Sequence, residues 1–388
     1  MHLSRADENV NKGPTLFWSD ALVESKVVLS GLVASNSAFD RLACDIIELS
    51  VVLRMSASKT LHQPDLENSA SAIPAVIQLE ALRHQYGDRV ALAGVSFEVR
   101  PAEIFGLLGP NGSGKTTTFR ILSTLMLPSG GRAMILGNDV ARNPALVRRN
   151  IGVVFQAQSI DVKLSAEENL MLIGHIYGLS GAKLKKRVAE MLNRVGLADR
   201  AKEKAETFSG GMQRRLELAK GLLHHPSVLL LDEPTTGLDP GARRDLWQYL
   251  QILRDEERVT VLVTTHLMEE AERCDRLAIY ANGSVVALGT PVELKSEIGG
   301  DVILLEANEP DALARHIEQR FGLRPTVLDN RVRLEIENGH RFVTEVVEAF
   351  PGEIVGVSIH KPSLEDVFIR RTGHRFWTEN ESEAGTGE

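Results

Sequence analysis

Gly109-Pro110-Asn111-Gly112-Ser113-Gly114-Lys115-Thr116 matches the pattern GxxxxGK[ST] in full. Three glycines let the backbone curl close to a polyanion and turn successive N–H groups inward, and a helix beginning at the end of the loop adds the positive end of its dipole. The pattern therefore selects a nucleoside triphosphate as ligand, with Lys115 bridging the β- and γ-phosphates and the Thr116 hydroxyl holding Mg²⁺. The flanks fit this reading. Glu103-Ile104-Phe105-Gly106-Leu107-Leu108 reads as a buried strand entering the loop, and Thr117 to Leu125 as the helix leaving it, with Thr117 a further candidate ligand.

A phosphate loop is common to GTPases, kinases, motors and transporters, so its companions decide the class. Val228-Leu229-Leu230-Leu231-Asp232-Glu233 is an apolar run ending in two acids, as a second buried parallel strand would deliver carboxylates at its C-terminal end. Asp232 there supports Mg²⁺ through a water, and Glu233 polarises the attacking water. Shortly before it, Phe208-Ser209-Gly210-Gly211-Met212-Gln213 opens an amphipathic segment that runs through His225, with Pro226 beyond its end.

With these residues in place the sequence resembles the ATP-binding subunits of ABC transporters. Ser209, Gly210 and Gly211 match the family's signature motif, whose serine, glycines and helix N-terminus contact the γ-phosphate of ATP held by the partner subunit. Met212 stands where the family usually has Gln, with Gln213 following, a variant resembling that of drug- and polysaccharide-export ATPases. By the same resemblance Gln156 is the loop glutamine that senses Mg²⁺ and contacts the membrane partner. His266, after the strand Val259 to Thr265, touches the γ-phosphate and helps Glu233 position the water. Asp239, in Gly237-Leu238-Asp239-Pro240, crosses the dimer interface, and Tyr86, before Gly87-Asp88-Arg89, stacks on adenine. Singly, each of these four has an ordinary structural explanation; their order along the chain carries the assignment.

The resemblance implies an α/β P-loop ATPase with a mixed β core, an antiparallel β subdomain and a helical subdomain over about residues 160–208, the whole lying between residues 75 and 298. It implies ATP and Mg²⁺ as cofactors and hydrolysis of ATP, with Lys115, Gln156, Glu233 and His266 as catalytic residues and Thr116, Gln156 and Asp232 at the metal. It also implies two half-sites. Because each motif occurs once, two copies of this chain, or one with a homologous subunit, would close head to tail around ATP and work on a separate multi-span permease from the cytoplasmic face of the membrane.

Composition fits and narrows the alternatives. The chain has 388 residues, 43% of them hydrophobic, enough for more than one packed core. A net charge of −8 argues against broad nucleic-acid binding. Cys44 and Cys274 are far apart and without a CxxC partner, which points to a reducing compartment and no structural zinc. No apolar stretch approaches the roughly 18–20 residues needed to cross a bilayer, so if the chain is a transporter component its membrane channel is on another chain. A soluble ABC ATPase acting on ribosomes or DNA is the main competitor. Such translation factors usually carry two nucleotide domains and the chromosome ATPases a long coiled-coil insertion, and heptads are absent between Lys115 and Ser209. A kinase or GTPase does not account for Ser209 to Gly211 together with His266.

At the N-terminus, residues 1–74 read as a poorly ordered extension whose apolar clusters are interrupted by charges. Met55, just before a Ser-, Asn- and Pro-containing linker, is a candidate true start. Arg276 to Tyr280, Asn282-Gly283 and Ser284 to Leu288 read as a hairpin with a favoured two-residue turn. Beyond Gly299-Gly300 the pattern β-α-β-β-α-β predicts a small ferredoxin-like domain over residues 299–376, for regulation or dimer support. Its Pro362-Ser363-Leu364-Glu365-Asp366-Val367-Phe368 resembles the C-terminal segment of drug-resistance-type export ATPases. Residues 377–388 read as a disordered acidic tail.

Overall fold

A computed structural model describes residues 74–376. The expected extension up to residue 73, with Cys44 and the candidate start Met55, and the acidic tail 377–388 lie outside the described residues.

A hairpin comes first, β1 (Ile77–Tyr86) and β2 (Arg89–Val99), turning at Gly87, where φ is +56°. The strands are ten and eleven residues long, whereas the sequence alternates like a strand only over residues 76–80 and 95–99. Register shifts between Leu79 and Leu82 and again at His84 break the period-two alternation that marks a strand in sequence, so only the regular ends are legible there. Strand β3 (Ile104–Leu108), buried throughout, leads through the phosphate loop into α1 (Lys115–Leu122). This helix begins two residues before the expected Thr117 and stops at Leu122 rather than Leu125. Thr124 takes φ +63°, and the Leu125 N–H returns to the Arg120 carbonyl, which closes the helix end. Strands β4 (Gly130–Ile135) and β5 (Asn138–Asp139) complete an antiparallel sheet of order β2-β1-β4-β5.

Helix α2 (Pro144–Asn150) precedes β6 (Ile151–Val154), after which two helices are inserted, α3 (Ala166–Ile176) and α4 (Gly181–Arg194). A Ser165–Glu168 capping box starts α3, and α4 buries Leu184, Val188, Met191 and Leu192 along one face. Helix α5 (Gly210–Leu222) then returns the chain to the core strand β7 (Val228–Asp232). It ends three residues short of the expected His225, which takes φ +56° immediately before Pro226. Next come α6 (Pro240–Asp255), β8 (Thr260–Thr265), the short α7 (Met268–Ala271) and the hairpin β9 (Arg276–Ala281) and β10 (Ser284–Gly289).

The central sheet has the order β10-β9-β3-β8-β7-β6 and is parallel except for the β9–β10 hairpin. Its strands are apolar on both faces because both faces are covered. Leu229, Leu231, Val261 and Val263 pack with α5, α6 and the inserted helices, whereas Phe105, Leu107, Leu230 and Leu262 pack against the antiparallel sheet through Ile77 and Phe97.

Helix α8 (Pro291–Ser296) leads to β11 (Asp301–Ala307), α9 (Pro310–Phe321), β12 (Thr326–Leu328), β13 (Arg331–Ile336), α10 (Gly339–Ala349) and β14 (Ile354–His360). The four strands form an antiparallel sheet of order β12-β13-β11-β14, a β-α-β-β-α-β unit of ferredoxin-like connectivity. Ile303 and Leu305 face α9 and α10, while Val302 and Leu304 face the other way. There they meet α11 (Leu364–Thr372), whose Val367 and Phe368 also pack on Leu277 and Ile279 of β9, so one apolar cluster joins the two sheets. Among the described residues no helix is long and apolar enough to cross a membrane.

Candidate active site

Four adjacent parallel strands end at the same edge of the central sheet, and each hands over a predicted site residue. Strand β3 releases the phosphate loop, β8 releases His266, β7 releases Glu233 and β6 releases Phe155 and Gln156. Register fixes their heights, with Leu108 paired to Thr265, Asp232 to Thr264 and Val154 to Leu231. This is where an open α/β sheet places a ligand.

The phosphate loop is shaped by steric necessity. A Cβ on Gly109 would lie 2.6 Å from Ser113 Oγ and 2.7 Å from the Tyr280 carbonyl, and one on Gly114, at φ +109°, would lie 2.8 Å from the Ala91 carbonyl. The predicted Asn282-Gly283 turn supports the loop from below, as the Gly283 N–H donates to the Ser113 carbonyl at 3.0 Å. Lys115, 3% exposed, donates from Nζ to the carbonyls of Gly109 at 2.5 Å and Pro110 at 2.9 Å. Ser113 Oγ is buried without a hydrogen-bond partner. A buried cation, an unsatisfied hydroxyl and a loop with no room for a Cβ at Gly109 or Gly114 suit a phosphate group.

Pro110, Thr116 and Thr117 lie in or directly after this loop. Asn111, Gly112, Gly114, Lys115, Thr116 and Thr117 line a pocket of about 230 Å³ together with Tyr86, Ala91, Arg89 and Arg120. The Tyr86 ring is 43% exposed, and its hydroxyl lies 3.5 Å from Thr117 Oγ1 and donates to Met126 Sδ at 3.3 Å. Arg89 and Arg120 escaped the sequence reading. Arg89 stands three residues beyond Tyr86 across the β1–β2 turn, and Arg120 lies on α1, so their place in the pocket follows from the fold.

The two acids have opposite environments. Asp232 is buried, accepts from Thr264 Oγ1 at 2.6 Å, and burial raises its pKa above the usual aspartate range against that hydrogen bond. Glu233 has the reverse shift. His266 Nδ1 lies 3.1 Å from its Oε1, and this hydrogen bond, with Lys115 nearby, holds its carboxyl below the ordinary range despite burial. Glu233 Oε2 accepts from Gln156 Nε2 at 3.3 Å and from Thr236 Oγ1 at 3.4 Å. The structure thus brings together Glu233, His266 and Gln156. Glu233 is also a non-glycine residue at φ +42°, a conformation held by its surroundings. Thr264 helps by accepting the Glu233 N–H on its carbonyl at 3.2 Å and on Oγ1 at 3.0 Å.

Ser209 and Asp239 lie outside the pocket. Ser209 is the exposed N-cap of α5, accepting from the Met212 N–H at 3.3 Å, with Gly210 exposed and Gly211 half-buried behind it. Asp239 caps α6 by accepting from the N–H groups of Gly241 and Ala242. Sequence reasoning missed the buried Glu270, which accepts hydrogen bonds from Thr235, in the turn leading to Asp239, and from Thr265, beside His266.

Residues 92–236 match the ABC transporter family, and residues 289–372 match the C-terminal domain of DrrA1-3-like ATP-binding proteins. The chain is 38% identical over 313 residues to the daunorubicin resistance ATP-binding protein DrrA2 of Streptomyces coeruleorubidus, covering 78% of this chain and 96% of the relative. The chain belongs to the family of ABC transporter ATP-binding subunits. A second relative, the Nod factor export ATP-binding protein I of Cupriavidus metallidurans, is 40% identical over 305 residues, 77% of this chain and 98% of its own. Among solved structures, the ATP-binding cassette MJ0796 in a dimeric post-hydrolysis state with ADP and Pi superposes with a TM-score of 0.51 at 30% identity, over 55% of this chain and 98% of that one. CbiO1 of Clostridium perfringens, part of the ABC transporter complex cbiONQ, superposes with a TM-score of 0.54 at 26% identity, over 64% of this chain and 96% of that one. This ABC subunit is an ATP-binding and ATP-hydrolysing enzyme of the export type.

Proposed function

We propose that two copies of this chain close head to tail over two ATP molecules and thereby power export through a separate multi-span membrane protein, from the cytoplasmic face of the membrane. The observation that carries this reading is the division of the site. The phosphate loop, Gln156, Asp232, Glu233 and His266 gather at one sheet edge, whereas Ser209 to Gly211 form a separate helix N-terminus, of the kind that suits an anion. A second chain is the natural source of the missing half, as the relatives' dimeric cassettes also suggest.

In each site the adenine stacks on Tyr86, and the phosphates lie on the N–H groups of Asn111 to Thr116 with Lys115 against their charge. Thr116, Gln156 and Asp232 form the oxygen-rich donor set that Mg²⁺ prefers, and the ion, when bound, neutralises charge on the β- and γ-phosphates. Glu233, kept anionic by His266, orients the lytic water and accepts its proton. Ser209 and Asp239 of the second chain complete the site, so loss of the γ-phosphate releases the two halves. Movement then reaches the membrane protein through the loop around Gln156.

Glu233→Gln tests the assignment. The variant should bind ATP, accumulate as a closed dimer on size exclusion, and lose about 10²–10⁴-fold in kcat, the usual worth of a general base. Turnover at the parental rate would sink it.

A further inference from the structure

Helix α5 carries more than the Ser209 cap. Arg214, 8% exposed, spreads its guanidinium over carbonyls from two separate loops. Nε donates to Pro234 O at 2.7 Å, Nη1 to Phe155 O at 2.6 Å, and Nη2 reaches Asp232 O and Glu233 O at 3.4 Å each. The charge is balanced by Glu217, one helical turn on and 1% exposed, which accepts from Nη1 at 2.6 Å. The other oxygen of Glu217 accepts the Ser159 N–H at 2.6 Å, and Lys220 Nζ donates to the Ser159 carbonyl at 2.7 Å. One face of the signature helix therefore grips both sides of the glutamine loop and the turn that holds Glu233.

We propose that Arg214, held by Glu217, is the positioning residue that sets Glu233 and Gln156 in register with the signature helix, and so ties the nucleotide site of one chain to the half-site it lends to its partner. The inference rests on the roles proposed above for Glu233 and Gln156. Glu233 sits at φ +42° and needs its flanking carbonyls fixed, which Arg214 does directly. Only a planar fork can serve Phe155, Pro234 and Glu217 together, because a lysine ammonium donates from a single point. Arg214 touches neither the phosphate loop nor the residues lining the pocket beside it, and it meets Asp232 only at the main-chain carbonyl, 3.4 Å from Nη2. Its loss should therefore misplace the catalytic groups and leave ATP binding intact.

The test uses the full chain with Mg²⁺-ATP and compares equilibrium ATP affinity, KM and kcat for the parent, Arg214→Lys, Glu217→Gln and Glu233→Gln. Arg214→Lys retains the charge against Glu217 and loses the fork. Glu217→Gln removes the balancing charge and leaves one carbonyl oxygen to serve either the guanidinium or the Ser159 N–H, with the amide N–H₂ set against the other. Each should keep ATP affinity and KM within about twofold while kcat falls about 10²-fold, the cost of a misplacement on the order of 1 Å. That split in at least one variant supports the proposal, provided the other does not turn over at the parental rate. Parental kcat in either variant, or loss of ATP affinity in both, overturns it. Parental turnover in Glu233→Gln would instead remove the reading of Glu233 beneath it, and an inactive Glu233→Gln beside a fully active Arg214→Lys would remove the clasp alone.

Discussion

The two helix ends assigned to phosphate, at α1 and at α5, are built by opposite means. The end of α1 is buried and needs no side-chain cap: Gly114 precedes it at φ +109°, and Ala91 and Leu92 fill the space where a Cβ would go. The end of α5 is exposed and capped by Ser209, and a Cβ on Gly210 would meet nothing within 4 Å. The first loop is glycine-rich because its own chain leaves no room. Folding of this chain gives no such steric reason for Gly210; in the proposed dimer this open helix end is where a nucleotide held by a second copy would approach.

The comparison breaks most severely at Gly114. Gly114→Ala combines an unfavourable backbone conformation with contacts of 2.8 Å to Ala91 O and Leu92 Cδ2. It should cost about 3–4 kcal/mol of stability and abolish ATP binding, read by denaturant unfolding and by ATP titration of the folded fraction. Stability within 1 kcal/mol of the parent, an order-of-magnitude bound for a tolerated surface change, would mean that the loop is not sterically dictated.

These two ends were not equally legible in the sequence. The phosphate loop and the strand ending in Asp232 and Glu233 are local patterns with a physical meaning at each position, and the C-terminal β-α-β-β-α-β order follows from alternation and helical periodicity alone. What stayed hidden depends on which distant segments meet. Arg214 and Glu217 read in sequence as an ordinary i, i+3 surface pair. Only the convergence of Phe155, Ser159 and Pro234 on α5 makes them a buried clasp. Glu270 reads as a solvated acid on a short helix, yet it joins Thr235 to Thr265. The long β1–β2 hairpin was legible only in part because its bulges break the alternation.

Just beyond the C-terminal end of α5, His224 packs against the neighbouring elements, and this contact should respond to pH. The ring stacks on Tyr177 at the end of α3, with centroids 3.8 Å apart, and lies 2.9 Å from the Ile151 carbonyl through Nε2. Its Nδ1 is buried without a hydrogen-bond partner, and burial pushes the pKa down to about 4. The folded state therefore holds a neutral ring, while the unfolded chain takes up a proton below its ordinary value of about 6.5. Stability is complete above that value and is lost as pH falls towards about 4, by up to about 3 kcal/mol. His224→Gln, which keeps a donor for Ile151 and cannot titrate, should flatten the fall in Tm between pH 6.5 and pH 4. An unchanged slope would place the acid sensitivity elsewhere.

The smallest effect on stability belongs to Gly210, and it is the most informative. Gly210→Ala meets open space at the first position of a helix, where alanine is the better helix former, so the isolated subunit should be unchanged or more stable by about 0.5–1 kcal/mol. Its own phosphate loop is untouched, so ATP affinity at low protein concentration should equal the parent's. A methyl group at the exposed helix end would nonetheless stand between the N–H groups and the approaching γ-phosphate. ATP-dependent dimerisation and turnover should therefore collapse together in a subunit that is otherwise as sound as the parent. Mixed dimers sharpen the argument further. One Gly210→Ala chain paired with one Lys115→Ala chain leaves either one intact composite site or none. A Gly210→Ala chain with a sound phosphate loop can still hold ATP against a normal Ser209 to Gly211 on its partner, whereas the Lys115→Ala chain has lost its own loop and faces the altered helix end. Half-site activity in that mixture, absent from either variant alone, is the pattern that only a shared site produces; equal inactivity of the mixture and of the separate variants would return Gly210 to its own chain.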